Sequence, residues 1–220
     1  MSRECPPDAL ISDPMVLRSA VSGMPRVVFD LDGTLYDTRD FERPALQSVA
    51  AWLRASSGLS LPGLAENLWT RRELDRHRPG LFDELLLEYG LPSSWGVECA
   101  RQFHAYPGSE LQHSESLRSC LSGLLSSGSR LALVSNGYSE LQHRKLKALG
   151  LGEMFDLCVF CDPRSPQQLK PSDWAWVQLG GWRQNLPTVY VGDDPVDAQF
   201  AVAGGARFLP FKFRSGRYDH

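Results

Sequence analysis

The sequence has 220 residues, which is more than one domain of roughly 150 residues and less than two. Hydrophobic residues make up 42% of it and charged residues 22%, a globular composition that excludes a disordered, collagen-like or coiled-coil chain. The net charge of -3, from 23 basic and 26 acidic side chains, argues against a protein that binds nucleic acid through bulk charge.

The apolar runs are too short for a membrane span. Residues 131–134 form one of the longest, far below the roughly 18 residues that a spanning helix needs. Charged residues, among them Asp13 and Arg18, interrupt the first 25 positions, so a secretory signal is not expected. These features predict a cytoplasmic protein with no membrane segment.

The five cysteines indicate a reducing compartment, because an odd number spread over a long chain does not form a disulfide framework. Cys158 and Cys161 form a CxxC pair inside the apolar run 155–161. A zinc site would need two further ligands, and a thioredoxin-like site would lie at the start of a helix. We therefore predict two buried thiols, with a redox or metal switch as the alternative.

The first elements in chain order are a leader and a strand. Residues 1–24 contain three prolines and no sustained period, which predicts a loosely ordered leader, partly helical near residues 15–20. Residues 27–31 form a short apolar run that ends at Asp32 and Gly33, as a buried strand followed by a turn does.

Helical spacing then dominates residues 41–103, without a convincing strand. Glycine and proline separate four predicted helices, at residues 42–55, 64–76, 81–89 and 94–103. This pattern predicts an all-helical insert, which we place at residues 38–106.

Helices and strands alternate after residue 106. Helices are predicted at 114–127, 139–149, 172–179 and 195–203, and strands at 130–135, 155–160, 188–192 and 207–209. Repeated strand-then-helix order predicts an α/β fold, a Rossmann-like doubly wound parallel sheet covered by helices on both sides. Residues 25–37 and 107–220 would form this core, with the helical insert after the first strand.

Polar residues of a restricted kind follow four predicted strands. They are Asp30 with Asp32, Ser135 with Asn136, Lys170, and Asp193 with Asp194. In a parallel sheet these ends lie on one edge, where ligands gather, so the groups should converge. Crowded carboxylates need a cation, and oxygen ligands without His or Cys favour Mg²⁺ over zinc.

A cation, a lysine and a hydroxyl facing a carboxylate are suited to phosphoryl transfer, where charge on the outer oxygens must be neutralised. Asp30 can act as the nucleophile and form an aspartyl-phosphate. Asp32 can protonate the leaving oxygen and then activate water. Pro171 and Pro195 suit the first turns of helices, whose amino ends favour anions.

These residues resemble the haloacid dehalogenase superfamily of hydrolases. Its four motifs appear in order as DLDGT at 30–34, LVSNG at 133–137, Lys170-Pro171, and VGDDPVD at 191–197. The match extends from Arg26 to Leu209. The two prolines between residues 162 and 169 depart from the Gly-rich approach of many relatives.

The resemblance implies a role for each matching residue. Asp30 is the nucleophile and Asp32 the general acid and base. The phosphoryl and substrate ligands are Ser135, Asn136, Lys170, Gly33 and Thr34. The Mg²⁺ ligands are Asp193, Asp30 and the backbone carbonyl of Asp32, with Asp197 acting through water or as an orienting group that Asp194 can share.

The insert is similar to the cap that selects substrates in this superfamily. It holds a basic cluster of Arg71, Arg72, Arg76, His77 and Arg78. An arginine fork could grip an anionic substrate, and the alternative is a solvated helix face with pairs such as Arg71 and Asp75.

The resemblance implies a Mg²⁺-dependent phosphatase that hydrolyses phosphate monoesters of small metabolites, either nucleotides or sugar phosphates and similar acids. The presence of Asp32 indicates phosphate esters as substrates, because the superfamily members that cleave haloacids or phosphonates lack this second Asp. The alternatives are a phosphosugar mutase that uses the same phosphoaspartate and a non-catalytic phosphate-binding regulatory protein. The expected partner is a small phosphorylated metabolite, without nucleic acid or membrane; the oligomeric state is not predicted.

Overall fold

A five-stranded parallel sheet organises the chain. The structure is a computed structural model and describes residues 10–75, 80–180 and 186–218. The strands lie in the order β3-β2-β1-β4-β5. In chain order they are β1 (Arg26–Phe29), β2 (Arg130–Asn136), β3 (Leu157–Cys161), β4 (Thr188–Gly192) and β5 (Arg207–Pro210).

The central strand is apolar on both faces, as a covered parallel sheet requires. Val27, Val28 and Phe29 in β1 are all fully buried. Their β-branched and aromatic side chains suit the pleated backbone of a strand. The predicted α/β class with a parallel sheet is therefore confirmed.

The strand order changes direction at β1. The chain passes from β1 outward through β2 and β3, then returns to the other side of β1 for β4 and β5. Connections that diverge from a central strand leave room for a ligand beyond its carboxyl end. Phe29 is in register with Leu133 of β2 and Val191 of β4, so the residues that follow these three strands emerge together.

Helices flank this sheet in the first of two compact units, which consists of the described residues of Met1–Thr38 and Leu111–His220. They are α1 (Pro14–Ala20), α6 (Glu115–Ser126), α7 (Ser139–Leu149), α8 (Trp174–Gln178) and α9 (Pro195–Ala203). Trp176 of α8 stacks on Phe200 of α9, with ring centroids 4.9 Å apart, and both pack on Tyr190 of β4. These aromatic contacts hold α8 and α9 against one face of the sheet.

The second unit is Arg39–Glu110, and its described residues contain helices and no strand. The α-helices are α2 (Arg39–Ser57), α3 (Leu64–Leu74), α4 (Leu81–Glu88) and α5 (Gly96–Ala105). Its core includes Leu53, Leu68 and Leu85, all fully buried. In the described part of the whole chain, no helix combines the length and the apolar character needed to cross a membrane.

Helix α1 agrees with the helix expected near residues 15–20, and the structure describes the leader from residue 10 onward. Asp13 caps α1, since its carboxylate accepts a hydrogen bond of 2.8 Å from the Met15 amide. Leu17 and Val21 are fully buried, and α1 packs against α6. Ile11 adds a parallel bridge to Phe211 beyond β5. Residues 1–9 lie outside the described part of the chain.

Only one thiol of the CxxC pair is buried, whereas two buried thiols were predicted. Cys161 is buried, whereas Cys158 is exposed because β3 is an edge strand. Both thiols are free, and burial raises the pKa of Cys161 to about 11. A raised pKa disfavours the thiolate that redox exchange and metal binding require.

We expect Leu17→Ala to destabilise the protein by about 2–5 kcal/mol, because it leaves a cavity between α1 and α6. Met15→Ala is the matched control on the same helix, where a side chain that is 55% exposed is removed. The control should change stability by less than about 0.5 kcal/mol. Urea unfolding measures both, and equal effects would contradict the packing of α1 described above.

Candidate active site

A buried lysine joins two carboxylates at the carboxyl edge of the sheet. The Lys170 ammonium donates to Asp30 Oδ1 at 2.7 Å and to Asp197 Oδ1 at 2.6 Å. It also donates to the Tyr190 hydroxyl at 3.0 Å. Because Lys170 and both carboxylates are buried, these contacts act with little screening by water.

The side chain of Asn136 fixes the segment that carries Lys170. Its carbonyl oxygen accepts a hydrogen bond of 2.9 Å from the Lys170 backbone amide. Asn136 ends β2, so the third motif is tied directly to the sheet. The structure thus places Asn136, a predicted substrate ligand, against the backbone of the predicted phosphoryl-binding lysine.

Three carboxylates form a group that could hold a metal ion. Asp30, Asp193 and Asp197 each offer one oxygen, and these oxygens lie within 4.8 Å of one another. Two glycines make room for this approach. A Cβ on Gly33 would lie 2.4 Å from Asp193 Oδ2, and a Cβ on Gly192 would lie 2.3 Å from Asp197 Oδ2. Gly33 also has a φ of +84°, a conformation that side-chain-bearing residues rarely adopt.

The start of α9 orients Asp197. Asp194 caps this helix by accepting from the Val196 amide at 2.9 Å, while its own amide donates to Asp197 Oδ2 at 3.2 Å. This capping box leaves Asp197 Oδ1 for Lys170. Asp194 thus orients Asp197 within the site.

Asp32 occupies a different environment, in contact with helix α7. Lys145 donates to its Oδ1 at 2.7 Å, and Gln142 donates to its Oδ2 at 2.6 Å. The Tyr36 hydroxyl donates to the same oxygen as Lys145. Gln142 also contacts the buried Ser135 hydroxyl at 3.0 Å, which links the second motif to Asp32.

These environments shift the pKa values of the two predicted catalytic carboxylates in opposite directions. Burial raises the pKa of Asp30 above its usual range, although Lys170 opposes the shift. Burial alone would also raise the pKa of Asp32, but the Lys145 ammonium and the other donors outweigh it and lower that pKa to about 2. Two carboxylates with opposite shifts are suited to different roles in one reaction.

The remaining predicted residue of the first motif is Thr34. It is fully buried, and its hydroxyl oxygen has no hydrogen-bond partner among residues 10–75, 80–180 and 186–218. A buried hydroxyl without a hydrogen-bond partner raises the free energy of the folded state, and this is unusual for a residue with a purely structural role.

Five residues at the site were not predicted from the sequence. Gln142, Lys145 and Tyr36 contact Asp32, Tyr190 contacts Lys170, and Lys212 forms an ion pair of 2.9 Å with Asp193. Helical spacing could have revealed the first two, because they fall on the same face of α7 as its buried leucines. Lys212 follows β5 and belongs to none of the four motifs.

The basic cluster of the helical unit is only partly described. Arg71 forms ion pairs with Glu84 and Glu88, and Arg72 pairs with Glu42 at 2.9 Å. Arg76, His77 and Arg78 lie outside the described residues. Both described arginines therefore pair with acidic side chains of other helices in the same unit.

A protein family matches the region of the chain that contains the four motifs. Residues 24–205 match the family described as haloacid dehalogenase-like hydrolase. The chain is 28% identical over 200 residues to a phosphoglycolate phosphatase from Cereibacter sphaeroides, covering 86% of this chain and 85% of the relative.

Solved structures share the fold. One, provisionally assigned as a beta-phosphoglucomutase from Thermotoga maritima, has a TM-score of 0.65 and 24% identity over 84% of each chain. Another, provisionally assigned as a HAD-hydrolase from Bacillus subtilis and bound to magnesium, has a TM-score of 0.58 and 20% identity, covering 84% of this chain and 87% of the other. The resemblance predicted from the motifs is confirmed: the chain belongs to the haloacid dehalogenase-like hydrolases.

Proposed function

We propose that this hydrolase is a Mg²⁺-dependent phosphatase that cleaves phosphate monoesters of small metabolites through an aspartyl-phosphate. The observation that carries this proposal is the contact of Lys170 with Asp30 beside two further carboxylates. A nucleophile, an ammonium and a set of hard oxygen ligands are what phosphoryl transfer needs. The phosphatase relative supports the same reaction class.

The residues at the site fit Mg²⁺. Asp30, Asp193 and Asp197 offer carboxylate oxygens, and this group contains no His or Cys. The backbone carbonyl of Asp32 would complete the protein ligands. When bound, Mg²⁺ offsets the repulsion between these carboxylates and an anionic ester and orients a phosphate oxygen. The magnesium-bound structure from Bacillus subtilis supports this assignment.

In the first step, a carboxylate oxygen of Asp30 attacks phosphorus while the bond to the ester oxygen breaks. The departing oxygen takes a proton from Asp32, whose protonated form is favoured when an anionic phosphate lies beside it. Lys170 and Ser135 would donate hydrogen bonds to the outer phosphoryl oxygens, where charge builds up. The products of this step are an alcohol and a phosphorylated Asp30.

In the second step, water attacks phosphorus and the bond to Asp30 breaks. Asp32, now a carboxylate, takes the proton from this water. Asp30 leaves as a carboxylate and inorganic phosphate is released. The lowered pKa of Asp32 in the free protein matches the charged form that this step needs.

Phosphoglycolate is the first substrate to test, because a relative that covers 86% of this chain is a phosphoglycolate phosphatase. It combines a phosphate ester with a carboxylate, as the small acids predicted from the sequence do. Nucleoside monophosphates and sugar phosphates complete the test panel. A phosphosugar mutase would return an isomer in place of free phosphate, so analysis of products separates the two reactions.

We expect Asp30→Asn to reduce phosphate release by at least about 1000-fold, because an amide cannot form the covalent intermediate. Removing Mg²⁺ with a chelator should abolish turnover in the natural protein. Asp156→Asn, which alters a surface ion pair with Arg130, is the matched control and should keep full activity. Phosphate release on the panel measures all three, and turnover that survives both Asp30→Asn and chelation would refute the mechanism.

Gly33→Ala should also impair activity, by about 100-fold, because its Cβ would displace Asp193 from the metal group. Gly205→Ala is the control: Gly205 also has a positive φ, of +68°, but a Cβ there meets nothing within 4 Å. Both variants should lose about 1 kcal/mol of stability from backbone strain. Equal activities of the two variants, compared at saturating Mg²⁺, would show that the approach of Asp193 to Gly33 is unimportant.

A further inference from the structure

Two polar side chains of α7 are buried inside the site. Gln142 is 1% exposed and Lys145 is 7% exposed. They lie three residues apart, so they project from the same side of the helix. Because α7 begins three residues after β2 ends, this side faces the carboxyl edge of the sheet next to Ser135.

Together these side chains hold both oxygens of Asp32. Lys145 contacts Oδ1 at 2.7 Å, and the Gln142 amide contacts Oδ2 at 2.6 Å. Rotation of the Asp32 carboxylate would break both contacts. The same Gln142 nitrogen lies 3.0 Å from Ser135 Oγ, so one amide fixes the acid–base residue relative to a phosphoryl ligand.

Stability alone does not account for this arrangement. The Gln142 carbonyl oxygen is buried and has no hydrogen-bond partner within the described part of the chain, which costs free energy on folding. Lys145 and Asp32 form a partly buried ion pair, and such pairs are often no more stabilising than apolar side chains of similar size. The positions of these groups therefore indicate a role in the reaction.

We infer that Gln142 and Lys145 are positioning residues that aim Asp32 at the water which hydrolyses the aspartyl-phosphate. The inference rests on the proposed function. In that step the water oxygen bonds to phosphorus, the bond from phosphorus to Asp30 breaks, and the water proton goes to Asp32. Because the contacts to Oδ1 and Oδ2 fix the orientation of Asp32 toward this water, their loss slows the second step more than a first step whose leaving group needs no proton.

The test is Lys145→Met with 4-nitrophenyl phosphate, whose leaving group departs without needing a proton. Loss of a well-placed base typically costs about 100-fold or more, so kcat should fall by about 100-fold. KM should fall by a similar factor, leaving kcat/KM within about 3-fold, because kcat/KM reports only the steps up to phosphorylation of Asp30. Rapid mixing should then show a burst of nitrophenolate that approaches one equivalent per enzyme.

Gln142→Met is the second variant, in case Lys145→Met does not fold, and it should show the same pattern. Lys147→Met is the matched control, since Lys147 is exposed on the same helix and should keep the natural kinetics. A fall of kcat/KM in parallel with kcat, without a burst, would indicate general disruption of the site and overturn the inference. Unchanged kinetics in both variants would overturn it as well. If the natural protein itself releases no phosphate from any ester, the proposed function fails, and this result is distinct from a failure confined to the variants.

Discussion

The organisation of the site depends on the buried ammonium of Lys170. It contacts Asp30, which follows the first strand, and Asp197, which belongs to the helix after the fourth strand. Removing one partner of a buried ion pair typically costs about 3–5 kcal/mol, since the remaining charges lose their compensation. The correct strand order is therefore needed for the stability of the site as well as for its chemistry. Asn136 extends this constraint to β2 by binding the backbone of Lys170.

The spacing of two residues between Asp30 and Asp32 separates two chemical tasks. Asp30 leaves the central strand in register with β4, where its amide donates to the Val191 carbonyl at 2.9 Å. Asp32 lies in the following turn and contacts α7. One carboxylate thus shares a lysine with acidic neighbours, while the other has its own lysine and an amide donor. The proposed roles of nucleophile and acid–base residue correspond to these two environments.

The sequence contained enough information for the sheet and for the residues at its carboxyl edge. Apolar runs that alternate with helical segments predict parallel strands, and the polar residues that follow these runs, among them Asp30 and Lys170, are then expected to converge at one edge of the sheet. It was less informative where tertiary packing decides. A short helix near residues 15–20 was predicted, whereas its packing against α6 and the full burial of Leu17 were not. Helical spacing places Gln142 and Lys145 on the buried face of α7, but their role was missed because a buried polar side chain is understood only when its partner is known.

Four carboxylates and three ammonium groups lie around the proposed phosphate position. They are Asp30, Asp32, Asp193, Asp197, Lys145, Lys170 and Lys212. With every group ionised, the four carboxylates outweigh the three ammonium groups by one negative charge. A phosphate dianion entering alone would add two more negative charges to a largely buried cluster, which is strongly unfavourable. A divalent cation offsets this addition completely. The charge balance therefore indicates that a bound divalent cation would favour the binding of phosphate, and that phosphate would favour the cation to the same extent.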